Sequence, residues 1–254
     1  MSRPSLAALL AASLSSSVAF AQTSSTFDLG DEGWMVIAFP YSHTASPGMQ
    51  PVVWDANIGL PPGSLYTWDQ YGETGVAAPA KFLGDQSGSY GRTLTFDILI
   101  MYSDAATYPA VVLNAGTFSL FYNMPSSPVG VWEHRVVPLA AAGWRYNSWT
   151  GPEATEAQMQ AALAGLAGLY INTEWRTGPD ETHVDNVVLG GAACDPDVNC
   201  DGAINGFDIE ATEQAVNGDF SNFCQPTADL NNDGAENGFD IETEEQRVNG
   251  APCE

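Results

Sequence analysis

The chain has 254 residues, with 7 Lys+Arg against 31 Asp+Glu and a formal net charge of −24. Such an excess of acid is repelled by nucleic-acid phosphates and by anionic membrane surfaces, which excludes both as partners. With 44% hydrophobic and 11% aromatic residues the chain can still bury a core, and 25 Gly with 16 Pro favour short strands and turns over long helices.

Taken in chain order, Arg3 precedes the apolar run Leu6 to Leu14, and Val18-Ala19-Phe20-Ala21 supplies small residues for cleavage. This pattern predicts a secretory signal peptide over residues 1–21, a mature chain beginning at Gln22, an extracellular or cell-surface location, and disulfides that are permitted to form. No later stretch approaches the roughly 20 apolar residues that a membrane helix needs.

From Phe27 to Leu189 turn signals recur at Pro40, Ser46-Pro47-Gly48, Pro61-Pro62-Gly63, Asp85 to Gly88 and Ser126-Ser127-Pro128. Between them lie alternating or apolar runs at residues 34–39, 93–100, 110–113, 118–121 and 184–189. Short strands at such spacing predict a β-sandwich. One helix is expected over 152–167, where Pro152 stands at the start and Met159, Leu163 and Leu166 recur at helical spacing.

The block Phe82-Leu83-Gly84-Asp85 followed by Ser89-Tyr90-Gly91-Arg92-Thr93-Leu94 resembles the laminin IV type A (laminin B) domain. Tyr66, Trp68, Val111 to Leu113, Gly116, Gly143-Trp144 and Asp185 to Leu189 continue the likeness in order across most of residues 27–190, within a domain expected over 22–190. The resemblance implies a mainly β jelly-roll sandwich in an extracellular protein, shaped like a carbohydrate-binding module and without catalytic activity. Trp34 and Trp144 are expected in its core. Trp54 and Trp149, flanked by loop-forming residues, are the candidates for stacking on a glycan.

His43, His134 and His183 are isolated, and no nucleophile elbow, His-Glu-x-x-His helix or phosphate-binding glycine loop is present. Asp69, Glu73, Asp97 and Glu133 supply acids that a glycoside hydrolase could use, so a polysaccharide-degrading enzyme is the alternative reading. Asp28 and Asp185 are candidates to share one structural calcium ion in the sandwich.

After the small-residue junction, with 191–193 as linker, the composition changes. All four cysteines and fifteen acids, against the single base Arg247, lie from Cys194 onward. Asp197, Asn199, Asp201, Asn205 and Asp208 recur 32 residues later as Asp229, Asn231, Asp233, Asn237 and Asp240. Oxygen side chains at loop positions 1, 3, 5, 9 and 12, with Gly at 6 and a backbone carbonyl at 7 (Ala203, Ala235), are the requirements of a calcium loop. Cys194-Asp195-Pro196 and Gln225-Pro226 rule out a helix before either loop. After each loop a helix is expected, buried through Ile209, Thr212 and Val216 and through Ile241, Glu244 and Val248, and stopped by Asn217-Gly218 and Asn249-Gly250.

Two such loop-helix units resemble the dockerin type I module, over residues 194–254. That resemblance implies two calcium ions and attachment to a cohesin-like domain of another extracellular protein. Its recognition positions fall at Gly206-Phe207 and Glu213-Gln214, and at Gly238-Phe239 and Glu245-Gln246, where small hydroxyl pairs and basic residues are usual. Phe207 and Phe239 are expected to pack in the core, with exposed anchoring as the alternative. Glu236 stands where a buried aliphatic such as Ile204 is usual, an expectation of weaker binding in the second loop. The cysteines have no His among them, which favours disulfides over zinc, and of three pairings Cys200–Cys224 with Cys194–Cys253 is preferred, since the second clasps the module's ends.

Overall fold

The computed structural model describes residues 22–44, 47–191, 196–201, 203–225, 227–231 and 235–251. The expected signal peptide, most of the linker, the Cys194–Cys253 pair and the ligand position Asp233 lie outside them.

The strands are β1 (Thr23–Ser25), β2 (Met35–Ala38), β3 (Met49–Pro51), β4 (Val53–Gly59), β5 (Pro62–Trp68), β6 (Thr74–Ala77), β7 (Thr93–Ile100), β8 (Thr107–Asn114), β9 (Ser119–Pro125), β10 (Trp132–Pro138), β11 (Trp144–Tyr146), β12 (Gly168–Asn172) and β13 (Glu181–Gly191). One sheet runs β10-β7-β13-β5-β4, with β1 also pairing β13, and the other runs β11-β9-β8-β12-β6-β2-β3. The result is the mainly β sandwich that the spacing of turns predicts, in the jelly-roll form that the laminin B resemblance implies. Alternation dictates which face turns inward: Leu94, Phe96, Ile98 and Ile100 of β7 are buried, while Thr95, Asp97 and Leu99 point the other way.

Between the sheets lie Trp34, Leu65, Phe82, Phe96, Trp144, Trp175 and Val184, all at most 1% exposed. The two tryptophans expected there are satisfied as well as buried, Trp34 Nε1 donating to Ser25 and Trp144 Nε1 to the Pro138 carbonyl. A second apolar cluster closes over the outer face of the β11-to-β3 sheet, where Ile37, Phe39, Val112, Phe121 and Tyr170 pack with Tyr41 and Trp149. Gly75 permits this closure, since a Cβ there would stand 2.4 Å from the Phe39 ring.

The sandwich helix is shorter than its apolar spacing suggests. Helix α1 spans Glu156–Ala164, because Thr155 and Gln158 form a capping box. Residues 152–154 stay extended instead, with Tyr146 N–H donating to Pro152 and Ala154 N–H to Trp144, and Leu166 has left the helix to pair with Gly84.

In the tail, α2 (Gly206–Val216) and α3 (Gly238–Val248) pack on each other. Each stops at its Asn-Gly pair, Gly218 and Gly250 taking φ of +90° and +93°. The buried stripe of α2 is Asp208, Ala211, Thr212 and Ala215, one position round from the expected Ile209 and Val216, which are only half-buried. The small residues let the helices approach. In α3 the matching stripe is Asp240, Glu244 and Arg247.

Candidate functional site

Each tail loop folds onto the first turn of the helix that follows it. Asn205 caps α2, its side-chain oxygen accepting from Phe207 N–H at 2.9 Å, and Asp208 reaches back to accept from Asn205 N–H at 2.9 Å. The other Asp208 oxygen accepts from Asn199 N–H across the loop, at 3.3 Å. The second unit repeats this. Asn237 accepts from Phe239 N–H, and Asp240 accepts from Asn237, Leu230 and Asn231 N–H groups. Asp208 and Asp240 are fully buried, so an Asp suits loop position 12 because it is also the third residue of the helix, where a short carboxylate closes a capping box.

Within the first loop Asp197 and Asn199 oxygens both accept from Asp201 N–H, and Asp201 accepts from Ala203 N–H. These turns gather hard oxygen donors, the set calcium prefers. Among the described residues no three His, Cys, Asp or Glu side chains are arranged to hold a metal by themselves, and amide and carbonyl oxygens are the further donors on offer. Those of Asn199, Asn205 and Ala203 stand in the same loop. Cys200 and Cys224 form a disulfide across 24 residues, which ties this loop to the segment after α2 and is worth about 3 kcal/mol in lost chain entropy.

Glu236 does not occupy a core position. Its carboxylate is exposed and accepts from Thr227 Oγ1 at 2.8 Å and Ala228 N–H at 3.1 Å, while Ile204, its counterpart, is 56% exposed. The expectation that Glu236 weakens the second loop by displacing a buried aliphatic therefore loses its premise. The core expectation for Phe207 and Phe239 is also corrected, since they are 66% and 65% exposed. As second residues of their helices they point away from the stripe that joins α2 to α3. Glu213, Glu245 and Gln246 are exposed nearby in sequence, and half-buried Gln214 accepts from Asn222 at 3.0 Å. A groove of about 530 Å³ runs beside Phe207, lined by Asn199, Asp201, Glu210, Gln214 and Phe223.

In the sandwich, Trp54 and Trp149 are both half-buried. Trp54 packs on the core and donates to the Phe27 carbonyl at 2.7 Å, and Trp149 lies against Tyr41 in the second cluster. The open aromatic surface is elsewhere. On the outer face of the β10-to-β4 sheet, Val53, Tyr66, His183, Leu99 and Trp132 stand opposite one another across five strands. Trp68 follows Tyr66 on the same face, with ring centroids 5.6 Å apart.

The candidate acids lie in two groups, and in the first of them Asp97 stands opposite Asp185 across β7 and β13. Asp97 accepts from His134 Nδ1 at 2.7 Å and from Asn186 at 2.8 Å, and Glu133 pairs with Arg135 at 3.1 Å. Asp185 accepts from Leu60 and Asn186 N–H groups, and Asp28 is exposed and accepts from Thr26. Asp69 and Glu73 are exposed beside a different pair, Glu174 and Asp180, which are 4% and 2% exposed. Burial, reinforced by the charges of Asp180, Asp69 and Glu73, pushes Glu174 up to about 8. Burial likewise raises Asp180 to about 6, against N–H groups of Trp175 and Glu181 that lower it.

A carboxyl raised on folding keeps its proton where the unfolded chain has lost it, so its contribution is lost as pH rises from the ordinary value near 4.5 through about 8. Glu174→Gln is therefore expected to melt increasingly above the native chain as pH goes from 5 to 8. A gap independent of pH in calorimetric scans would contradict a buried, proton-holding Glu174.

Two families match the sequence. The laminin B (Domain IV) family covers residues 76–200, and the dockerin type I domain family covers residues 195–249. The chain joins a laminin B domain to a dockerin type I domain. Among solved structures, the L4b domain of human laminin alpha-2 is 12% identical, with 66% of this chain and 97% of that one covered and a TM-score of 0.52. A family 11 carbohydrate-binding module of a cellulosomal cellulase of Clostridium thermocellum is 16% identical, covering 70% and 98%, with a TM-score of 0.44. An exo-β-agarase is 15% identical, with coverage of 54% and 22% and a TM-score of 0.39.

The dockerin match supports calcium as the ion suited to the oxygen-rich loops. Among the described residues no helix is long and apolar enough to cross a membrane. Sequence reasoning singled out the oxygen-rich loops of the dockerin domain as candidates for calcium but missed the outer sheet face of the laminin B domain. The signal was present in Ser64-Leu65-Tyr66-Thr67-Trp68, whose strict alternation places Leu65 and Thr67 inside and both rings outside.

Proposed function

We propose that this is an exported, non-catalytic binding protein, divided as residues 1–21, 22–190 and 194–254. In it the laminin B domain recognises a glycan and the dockerin domain attaches the protein to a cohesin-like domain of another extracellular protein. The observation that carries the attachment is the twin placement of Phe207 and Phe239, each 66% or 65% exposed at the same turn of a capped helix. Solvent-exposed aromatic rings on ordered backbone are favourable anchors because little entropy is lost when a partner covers them. Glu213, Gln214, Glu245 and Gln246 provide the polar surround.

Two calcium ions complete the domain in this reading. Asp197, Asn199, Asp201, Asn205, Asp208 and the Ala203 carbonyl hold the first. Asp229, Asn231, Asp233, Asn237, Asp240 and the Ala235 carbonyl hold the second. The ions supply positive charge where fifteen acids face one base, and the buried Asp208 and Asp240 couple that charge to the helix starts. Asp97 is engaged by His134 and Glu133 by Arg135, which favours binding over hydrolysis.

Phe207→Ala and Phe239→Ala, made singly and together in the full chain, are expected to leave the calcium-loaded melting temperature unchanged. The double variant should lose about 2 kcal/mol or more of partner affinity. The check is chelator-sensitive capture from the native extracellular fraction, followed by titration against the captured protein. Unchanged affinity in the double variant would place docking elsewhere, and turnover of any glycan in a hydrolysis panel would replace the non-catalytic reading.

A further inference from the structure

We infer that the outer face of the β10-to-β4 sheet is a platform on which a neutral glycan chain lies across the strands. The inference rests on the glycan-binding reading of the sandwich and names its site. The row Val53, Tyr66, His183, Leu99 and Trp132 is paired residue by residue. With strands about 4.8 Å apart, its four steps extend about 19 Å, long enough for several sugar units.

The platform is built before a ligand arrives. His183 is 4% exposed, its Nδ1 lies 2.9 Å from Ser64 Oγ, and its ring sits 4.9 Å from Tyr66 and 6.4 Å from Trp132. Burial lowers the His183 pKa and favours the neutral imidazole, so the row carries no fixed charge. Around this floor stand exposed apolar side chains, with Arg176 lying 4.3 Å over the Tyr102 ring. Trp68 is 42% exposed and Val53 41%, while Met101 and Tyr102 at the same end of the sheet are each 39% exposed. The opposite sheet's outer face is by contrast closed by its own aromatic cluster. An uncovered apolar patch of this kind marks a binding surface.

Chemistry selects the occupant. Asp55 and Glu181 share the face, Glu181 opposite Trp68 and Asp55 on the strand beside Ser64. Flat rings thus alternate with acceptors at the spacing of one strand or one side chain. A sugar ring has an apolar C–H face and an edge of hydroxyl donors, so it satisfies both at once. The cores of protein interfaces are instead depleted of charge. The carboxylates, in a chain of net charge −24, repel uronic acids and sulfated sugars, which leaves neutral polysaccharides.

The test is affinity electrophoresis of the full chain in soluble β-glucan, xylan, mannan and galactan, with polygalacturonate as the anionic counterpart. Trp68→Ala and Tyr66→Ala are compared with the native chain, and thermal melting monitors folding. The expected result is retardation by at least one neutral polysaccharide, weakened about tenfold or more by Trp68→Ala at unchanged melting temperature. Because Tyr66 is half-buried, Tyr66→Phe accompanies Tyr66→Ala and should keep most of the binding if the ring itself is the contact. Retardation retained within about twofold in Trp68→Ala and Tyr66→Ala would overturn the site while leaving a glycan-binding sandwich. No retardation of the native chain in any neutral polysaccharide would overturn the glycan reading itself. Preferential binding of polygalacturonate would overturn the neutral class.

Discussion

Arg247→Ala should unfold the dockerin domain even in saturating calcium. Arg247 is 7% exposed and Glu244 is fully buried; their charged groups stand 4.0 Å apart, and Arg247 also donates to the Leu230 carbonyl at 2.7 Å. Removing the guanidinium takes a positive charge from beside the buried Glu244 and Asp240, and breaking a buried ion pair from one side costs about 3–5 kcal/mol. A domain of some sixty residues has little more stability than that. The internal repeat supplies the control, because the first unit has Thr212 and Ala215 at the same two positions. The double variant Glu244→Thr with Arg247→Ala copies the first helix into the second and should recover most of the lost stability. Circular dichroism of the helical signal against temperature reads both. If the double variant melts as low as Arg247→Ala, the broken Glu244–Arg247 pair is not the cause.

Chelation should have the second large effect, selective for one domain. Without cations, the fifteen acids from Cys194 onward repel one another with only Arg247 among them, and the loops that position Asn205 and Asn237 as helix caps lose their organising charge. Excess chelator is expected to abolish the α2 and α3 signal and leave the β-sandwich transition in place, and calorimetric titration of the stripped chain should return two calcium ions per molecule. A stoichiometry of one would leave one loop without a metal role. A full helical signal in chelator would show that the Cys200–Cys224 bond and packing around Val198, Ala215 and Phe223 suffice.

The features legible in the sequence are those written in local spacing. The calcium loops repeat at a fixed offset, and Thr93–Ile100 alternates so regularly that both of its ends are predicted. Local competition already blurs the picture at α1, where the hydrogen bonds of Thr155 and Gln158 override Pro152 as the helix start. In the tail, the apolar side chains of Ile209 and Val216 suggest a stripe, but close packing of α2 on α3 selects the smaller Ala211 and Ala215. The sheet face is the least legible feature. Residues 53, 66, 99, 132 and 183 become neighbours only through strand register, and Trp149, whose neighbours suggest a loop platform, is instead drawn against Tyr41.

The position of β13 governs the order in which the sandwich can form. It is the last strand of the sandwich in the chain, yet it lies in the middle of its sheet, between β7 and β5, and also carries β1. A chain emerging from its N-terminus therefore has β10 paired to β7 and β5 paired to β4 as two separate hairpin-like fragments, each with an open edge, until residue 191 is available. Those edges are unprotected strand templates for as long as they wait. The vectorial cost of this topology is that the fold cannot close progressively; it closes once, at the end, when a single strand joins the two halves.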